Sequence, residues 1–213
     1  MKYIIILGDG MGSMLRIENH DPFDPSKLVD LGKTSFGTPV QVNKTVYEAD
    51  LRIVVGKVEP HEFAGFSGGR KSVLPGIASE TTIKINHRPE MILHPKAMIG
   101  EWEENPVSKD MTEAALMLGV DFCVNILVDS SNRPTCVVCG DLEKSHALAI
   151  EKVEASMSVP LKKRPRIIVT TPGSPLNINF YQSMKAIIAM ITIMVFIRPP
   201  DPDQLFFPLY GLV

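Results

Sequence analysis

Residues 61–87 read HEFAGFSGGRKSVLPGIASETTIKINH, and the interpretation of the whole chain turns on them. The stretch gathers His61, His87, Lys71 and four glycines, with little of the apolar periodicity that marks core packing. Gly65-Phe66-Ser67-Gly68-Gly69 reads as a loop able to turn successive backbone N–H groups toward one anion, because glycine tolerates positive φ and has no Cβ to block close approach. Phosphate is the expected guest. Arg70 and Lys71 follow at once; their charges suit a phosphate, and Lys71 also offers an amine for covalent attachment to a cofactor. Pro75-Gly76 makes a turn. Ser79 is a suitable N-cap for a two-turn helix over 80–86, which Arg88-Pro89 ends, so that His87 stands at the far end of a stiff element.

Taken singly, these parts say little. A glycine pair after an aromatic is often only a turn, and a single histidine is more often a hydrogen-bonded structural residue than a ligand. The loop matches neither GxxxxGK[ST] nor GxGxxG. The joint pattern of His61, glycine loop, Lys71 and His87 is what points to chemistry.

HEFAGFSGGRKSVLPG (61–76) followed by NHR (86–88) resembles the nickel-dependent lactate racemase family. NHDPFD (19–24), LVDLGKTSFGTPVQVN (28–43) and ADLRIVVGKVEPH (49–61) are similar to the family's run into this site. TPGSPLNINFYQSMK (171–185) looks like the opening of its second domain. The likeness covers roughly residues 17–186 and rests on separate motifs in the right order. It implies a racemase or epimerase of a small, lactate-like 2-hydroxy acid, an isomerase working by hydride transfer to a tethered cofactor. That cofactor is a pyridinium-3-thioamide-5-thiocarboxylic acid mononucleotide holding nickel as a pincer, made by dedicated cofactor-building enzymes. Carried over residue by residue, Lys71 is the tether, with Gly65, Ser67, Gly68 and Gly69 around the cofactor; His87 is the nickel ligand and His61 a catalytic acid/base. Lys185 would face the substrate's negative charge and Gln182 would hydrogen bond to it. In the family an acidic and basic pair and a TGTHR-like segment with a second catalytic histidine precede NHD. Neither has a counterpart here, so the chain is expected to be truncated at both ends, and a catalytically impaired fragment that only binds phosphate or nucleotide is the alternative function.

Composition agrees with an ordinary globular chain: 213 residues, 45% hydrophobic and 22% charged. A net charge of −2 gives no basic footprint for nucleic acid. Three cysteines make no disulfide framework and nothing resembles a signal peptide, so the cytoplasm is the expected compartment. The expected fold is α/β, a mixed sheet flanked by helices, with the start of a second α/β domain. Residues 1–159 form the cofactor-binding domain, 160–166 (PLKKRPR) a proline-rich basic linker, and 167–213 the incomplete second domain. Residues 2–7 read as a strand followed by the glycine turn GDGMGS, and short apolar runs over 28–58 as strands of the mixed sheet, the last delivering His61 to a sheet edge. Met91 to Ile99 and Met111 to Leu118 show helical spacing, Asp110 offering an acidic helix start. Strands follow at 120–128 and 135–139, then a helix to Ala155. His20 in NHDPFD and His94 beside Pro95 read as structural. Cys136 and Cys139 have two valines between them in a strand and lack the context of a zinc or redox site. Residues 186–197 are uncharged but too few to span a membrane.

Overall fold

The structure is a computed structural model that describes residues 4–7, 16–129, 131–157, 169, 178–180 and 183. The expected GDGMGS turn and the 160–166 linker lie outside the described residues, as does nearly all of the expected second domain. The first strands are β1 (Ile4–Leu7) and β2 (Arg16–Asn19), an antiparallel pair. A second hairpin joins β3 (Leu28–Lys33) to β4 (Pro39–Asn43), and α1 (Lys44–Tyr47) follows. Next come β5 (Ile53–Lys57), the short β6 (Pro60–His61) and β7 (Gly65–Phe66), and a 3-10 turn over Gly69–Ser72. Helices α2 (Glu80–Asn86), α3 (Pro89–Ile92) and α4 (Pro106–Leu118) lead to β8 (Phe122–Val128), β9 (Pro134–Gly140) and α5 (Leu142–Met157).

The architecture is mixed α/β, as expected. Its central sheet has the order β5-β8-β9, with β5 parallel and β9 antiparallel to β8. Burial alternates along β8: Cys123, Asn125 and Leu127 point inward, toward α5 and the 3-10 turn that pack on this sheet. Two apolar clusters hold the layers together. One joins β4, α4 and the 73–78 segment through Val40, Val42, Val73, Leu74, Ile77, Met111, Ala114 and Leu118. The other joins α5 to the sheet and β7 through Val58, Phe66, Leu127, Ala149, Ile150 and Val153.

Three expectations are corrected. The strands of 28–43 do not enter the central sheet; they form their own hairpin, because the turn between them is pinned to α4 by Thr34 and Thr38. Helix α4 does not begin at Asp110. Asn105 caps it, accepting from the amides of Val107 and Ser108, and Pro106 starts it, leaving Asp110 fully buried within it. The helical spacing over 91–99 yields only α3, which ends at Ile92. Pro95 disfavours helical backbone at His94, whose Nδ1 instead accepts from the Lys96 amide.

Candidate active site

The expected helix over 80–86 forms as the local signals dictate. Ser79 Oγ accepts from the Thr82 amide 3.1 Å away, and His87 is the C-cap. The imidazole of His87 folds back on its own helix, Nδ1 donating to the Ile83 carbonyl at 2.9 Å, so its Nε2 carries the lone pair. Burial and then the nearby Lys71 charge push this imidazole below the usual histidine range, opposed by the Ile83 bond and the Asp110 charge.

Below that helix, β6 and β7 form a two-residue ladder with His61 opposite Gly65, and the connection places Phe63 at its tip. The Phe63 ring is the centre of the arrangement. His61 meets it edge-on at 4.7 Å between centroids and His87 does the same at 5.0 Å, while Lys71 Nζ lies 5.7 Å from its centroid. Lys71 Nζ is also 3.1 Å from His61 Nε2, and Lys71 is only 8% exposed. On its other side His61 Nδ1 lies 3.3 Å from the Ala64 amide and 3.5 Å from the Glu62 carboxylate. His61, Lys71 and His87, separated in sequence by up to 26 residues, thus surround one aromatic ring. Phe63 and Glu62 were not singled out from the sequence; an aromatic and a carboxylate directly after His61 were the available signal.

The glycine loop behaves differently from the expectation of an anion nest. The amides of Phe66, Ser67, Gly69 and Lys71 donate to Ala64 O, Glu59 O, Asn125 Oδ1 and Gly68 O. Its glycines serve close packing instead: at Gly65, with φ +75°, a Cβ would run into the Glu101 carbonyl, and at Gly69 it would lie 2.6 Å from the His146 ring. Arg70 does not reach outward either. It is fully buried, its guanidinium donating to His146 Nδ1 at 2.8 Å and to the Ala64 carbonyl at 3.0 Å. Loss of water around it lowers its pKa to about 10. His146 Nε2 donates to the Ser67 carbonyl at 2.8 Å; with Nδ1 accepting from Arg70, the ring is the neutral Nε2–H tautomer. Burial first, then the Arg70 charge, pushes the His146 pKa down to about 3. No local pattern reveals this pair, whose members are 76 residues apart.

Gln182 and Lys185 lie outside the described residues. His20 is structural: its Nε2 is 3.0 Å from the Ala78 carbonyl and its Nδ1 3.2 Å from Asn43 Nδ2. Cys123, Cys136 and Cys139 are free thiols. Among the described residues no group of three or more His, Cys, Asp or Glu side chains is placed to hold a metal, and no helix is long and apolar enough to cross a membrane.

The chain is thus an α/β protein whose candidate site sets a buried lysine against a histidine, with a second histidine across one phenyl ring. Residues 2–100 match the lactate racemase N-terminal domain. The chain is 40% identical to the lactate racemase of Thermoanaerobacterium thermosaccharolyticum over 170 residues, 80% of this chain and 40% of that protein. It is likewise 40% identical to the lactate racemase of Lactiplantibacillus plantarum over 182 residues, 85% of this chain and 43% of that one. The structure of the lactate racemase apoprotein from T. thermosaccharolyticum superposes with a TM-score of 0.77, covering 80% of this chain and 41% of that one. A Thermotoga maritima crystal structure, 26% identical, gives 0.54 over 64% of this chain and 37% of its own. This chain belongs to the lactate racemase family, and it spans about two fifths of the length of the curated relatives it matches.

Proposed function

We propose that this chain provides the cofactor-holding part of an isomerase that racemises or epimerises a small 2-hydroxy acid such as lactate. Residues 1–159 are the cofactor domain, 160–166 a linker, and 167–213 the start of a second domain. The observation that carries the proposal is the convergence of His61, Lys71 and His87 on Phe63. Lys71 is the tether for the pyridinium-3-thioamide-5-thiocarboxylic acid mononucleotide, delivered by cofactor-building enzymes, and His87 a ligand to its nickel. When bound, this group would accept and return the hydride of the substrate's C2.

The residues present fit such a group. His87 keeps Nε2 unprotonated by spending Nδ1 on Ile83, and its burial favours the neutral form that a metal needs. His87 would give the metal one bond through Nε2, and the organic group would supply further ligands. His61 takes the hydroxyl proton as hydride leaves and returns it when the hydride comes back. Gly65, Ser67, Gly68 and Gly69 act as the tightly packed backbone from which Lys71 emerges. Lys185 and Gln182 bind the substrate carboxylate and a neighbouring oxygen, on the family resemblance alone.

The test is intact-mass and metal analysis of protein made alongside the cofactor-building enzymes. The parent should carry an added mononucleotide and nickel; Lys71→Ala should lose both, and His87→Ala should keep the organic adduct while losing nickel. An adduct that persists in Lys71→Ala moves the tether elsewhere, and parental nickel in His87→Ala removes that residue as a ligand.

A further inference from the structure

Lys71 has a task that precedes any turnover: its amine must be free of its extra proton when it forms the tether. A lysine ammonium has no lone pair to attack with. We propose that Glu62, His61 and Lys71 form a proton relay by which the protein promotes acylation of its own Lys71, a role that rests on the reading of Lys71 as the tether.

Two nitrogen bases 3.1 Å apart, Lys71 Nζ and His61 Nε2, can hydrogen bond only by sharing a proton that sits on one of them. The acceptor for the proton that Lys71 must lose is therefore already in place. When that proton reaches Nε2, His61 becomes an imidazolium whose Nδ1–H faces the Glu62 carboxylate, 3.5 Å away with a side chain only 14% exposed. In the competing arrangement, Ala64 N–H donating to an unprotonated Nδ1 at 3.3 Å, the neutral ring carries its proton on Nε2; His61 acts as the base in its other tautomer, with Nδ1–H turned to Glu62. Nucleophile, base and orienting carboxylate thus stand in the order of an activated-nucleophile triad. Phe63 walls the group from water beside both His61 and Lys71.

The step balances without an oxidant or reductant. The Lys71 nitrogen attacks the acyl carbon of an activated carboxylic or thiocarboxylic donor and a C–N bond forms. The bond from that carbon to its leaving group breaks, and the leaving group takes the electron pair. Two protons leave the nitrogen in all: the extra proton of the ammonium passes to His61 Nε2 and on to water before attack, and the proton lost as the amide forms passes through the regenerated His61 to the leaving group. His61 is the catalytic base of this step; Glu62 is a positioning residue.

The experiment uses the 213-residue chain without cofactor and p-nitrophenyl acetate as acyl donor. Acetylation of Lys71 is followed by peptide mass spectrometry and normalised to Lys84, whose side chain is 67% exposed on the outside of α2. Because a general base contributes about 10²–10⁴-fold, His61→Gln should lower the Lys71:Lys84 rate ratio by about 10²-fold or more. Added imidazole should restore much of the ratio in His61→Ala, a rescue that a merely structural histidine would not allow. Glu62→Gln should lower the ratio less, with Glu62→Asp recovering part of the loss. A parental ratio in His61→Gln, or a fall in His61→Ala that imidazole leaves untouched, overturns the relay. The two readings fail separately: parental acetylation of His61→Gln leaves the tether intact, whereas a cofactor adduct that survives Lys71→Ala removes the tether and not the relay.

Discussion

Replacing Asp110 should unfold the site from behind. Its carboxylate is fully buried in α4 and accepts three short hydrogen bonds, from Thr34 Oγ1 at 2.6 Å, Thr38 Oγ1 at 2.7 Å and Asn86 Nδ2 at 2.8 Å. It therefore ties the β3–β4 turn to the last residue of α2, next to His87. A hydrogen bond to a charged acceptor contributes about 1.5–3 kcal/mol, and a buried donor left without a partner costs roughly 1–3 kcal/mol. The three bonds share one acceptor group and will not add fully, so Asp110→Ala should lose about 4 kcal/mol or more. That is a large part of the 5–15 kcal/mol or so that holds a typical domain. In urea, with a slope of about 2 kcal/mol/M, the midpoint should fall by about 2 M. Asp110→Asn should cost much less. Asn86 Oδ1 is buried and has no hydrogen-bond partner among the described residues, and a flip of the Asn86 amide would let it accept from the new amide at position 110. A midpoint shift under about 0.5 M for Asp110→Ala, with the slope unchanged, would refute the claim that this carboxylate organises the region.

Two further outcomes follow from the buried groups around Lys71. His146 titrates at about 3 when folded and near 6.5 when unfolded, so the unfolded chain binds the extra proton first and stability falls as pH drops from 6.5 toward 3. Between pH 6.5 and 5 this amounts to about 2 kcal/mol, at 1.36 kcal/mol per unit; the lowered His87 acts in the same sense. Urea unfolding of His146→Gln should show a clearly shallower dependence on pH over that window, and an unchanged slope would refute the assignment. Gly65→Ala meets both a positive φ and the Glu101 carbonyl. It should cost about 2 kcal/mol or more, read as a loss in melting temperature, whereas a parental melting point would mean that the loop can shift away from residue 101.

What was legible in the sequence was mostly local. The Ser79 cap, the end of α2 at His87, the strands at 122–128 and 134–140 and the last helix all follow from cues within a few residues of each element. Asp110 misled because acidic residues favour helix starts, while its true partners are 72 and 76 residues away in sequence. The glycine loop misled for the same reason. Its φ angles are the positive ones expected of glycine, but whether its amides are free depends on Asn125 and Glu59, which no local pattern reveals. Arg70, read with Lys71 as a charge suited to a phosphate, is instead buried against a histidine from α5.

These long-range ties bear on how the site is divided along the chain. His61, Lys71 and His87 all fall within the 2–100 segment that matches the family model. The groups that hold them do not: Asp110 steadies the end of α2, Asn125 Oδ1 takes the Gly69 amide, and His146 takes both the Arg70 guanidinium and a place against the Gly69 backbone. Lys71 sits between residues fixed in this way, in a 3-10 turn packed on β5, β8 and α5. Its 3.1 Å contact with His61 is therefore set by the central sheet and last helix as much as by the motif itself. A substitution at Asn125 or His146 should disturb acylation at Lys71 while leaving every residue of the HEFAGFSGGRK motif in place, whereas a motif sufficient by itself would be indifferent to either change.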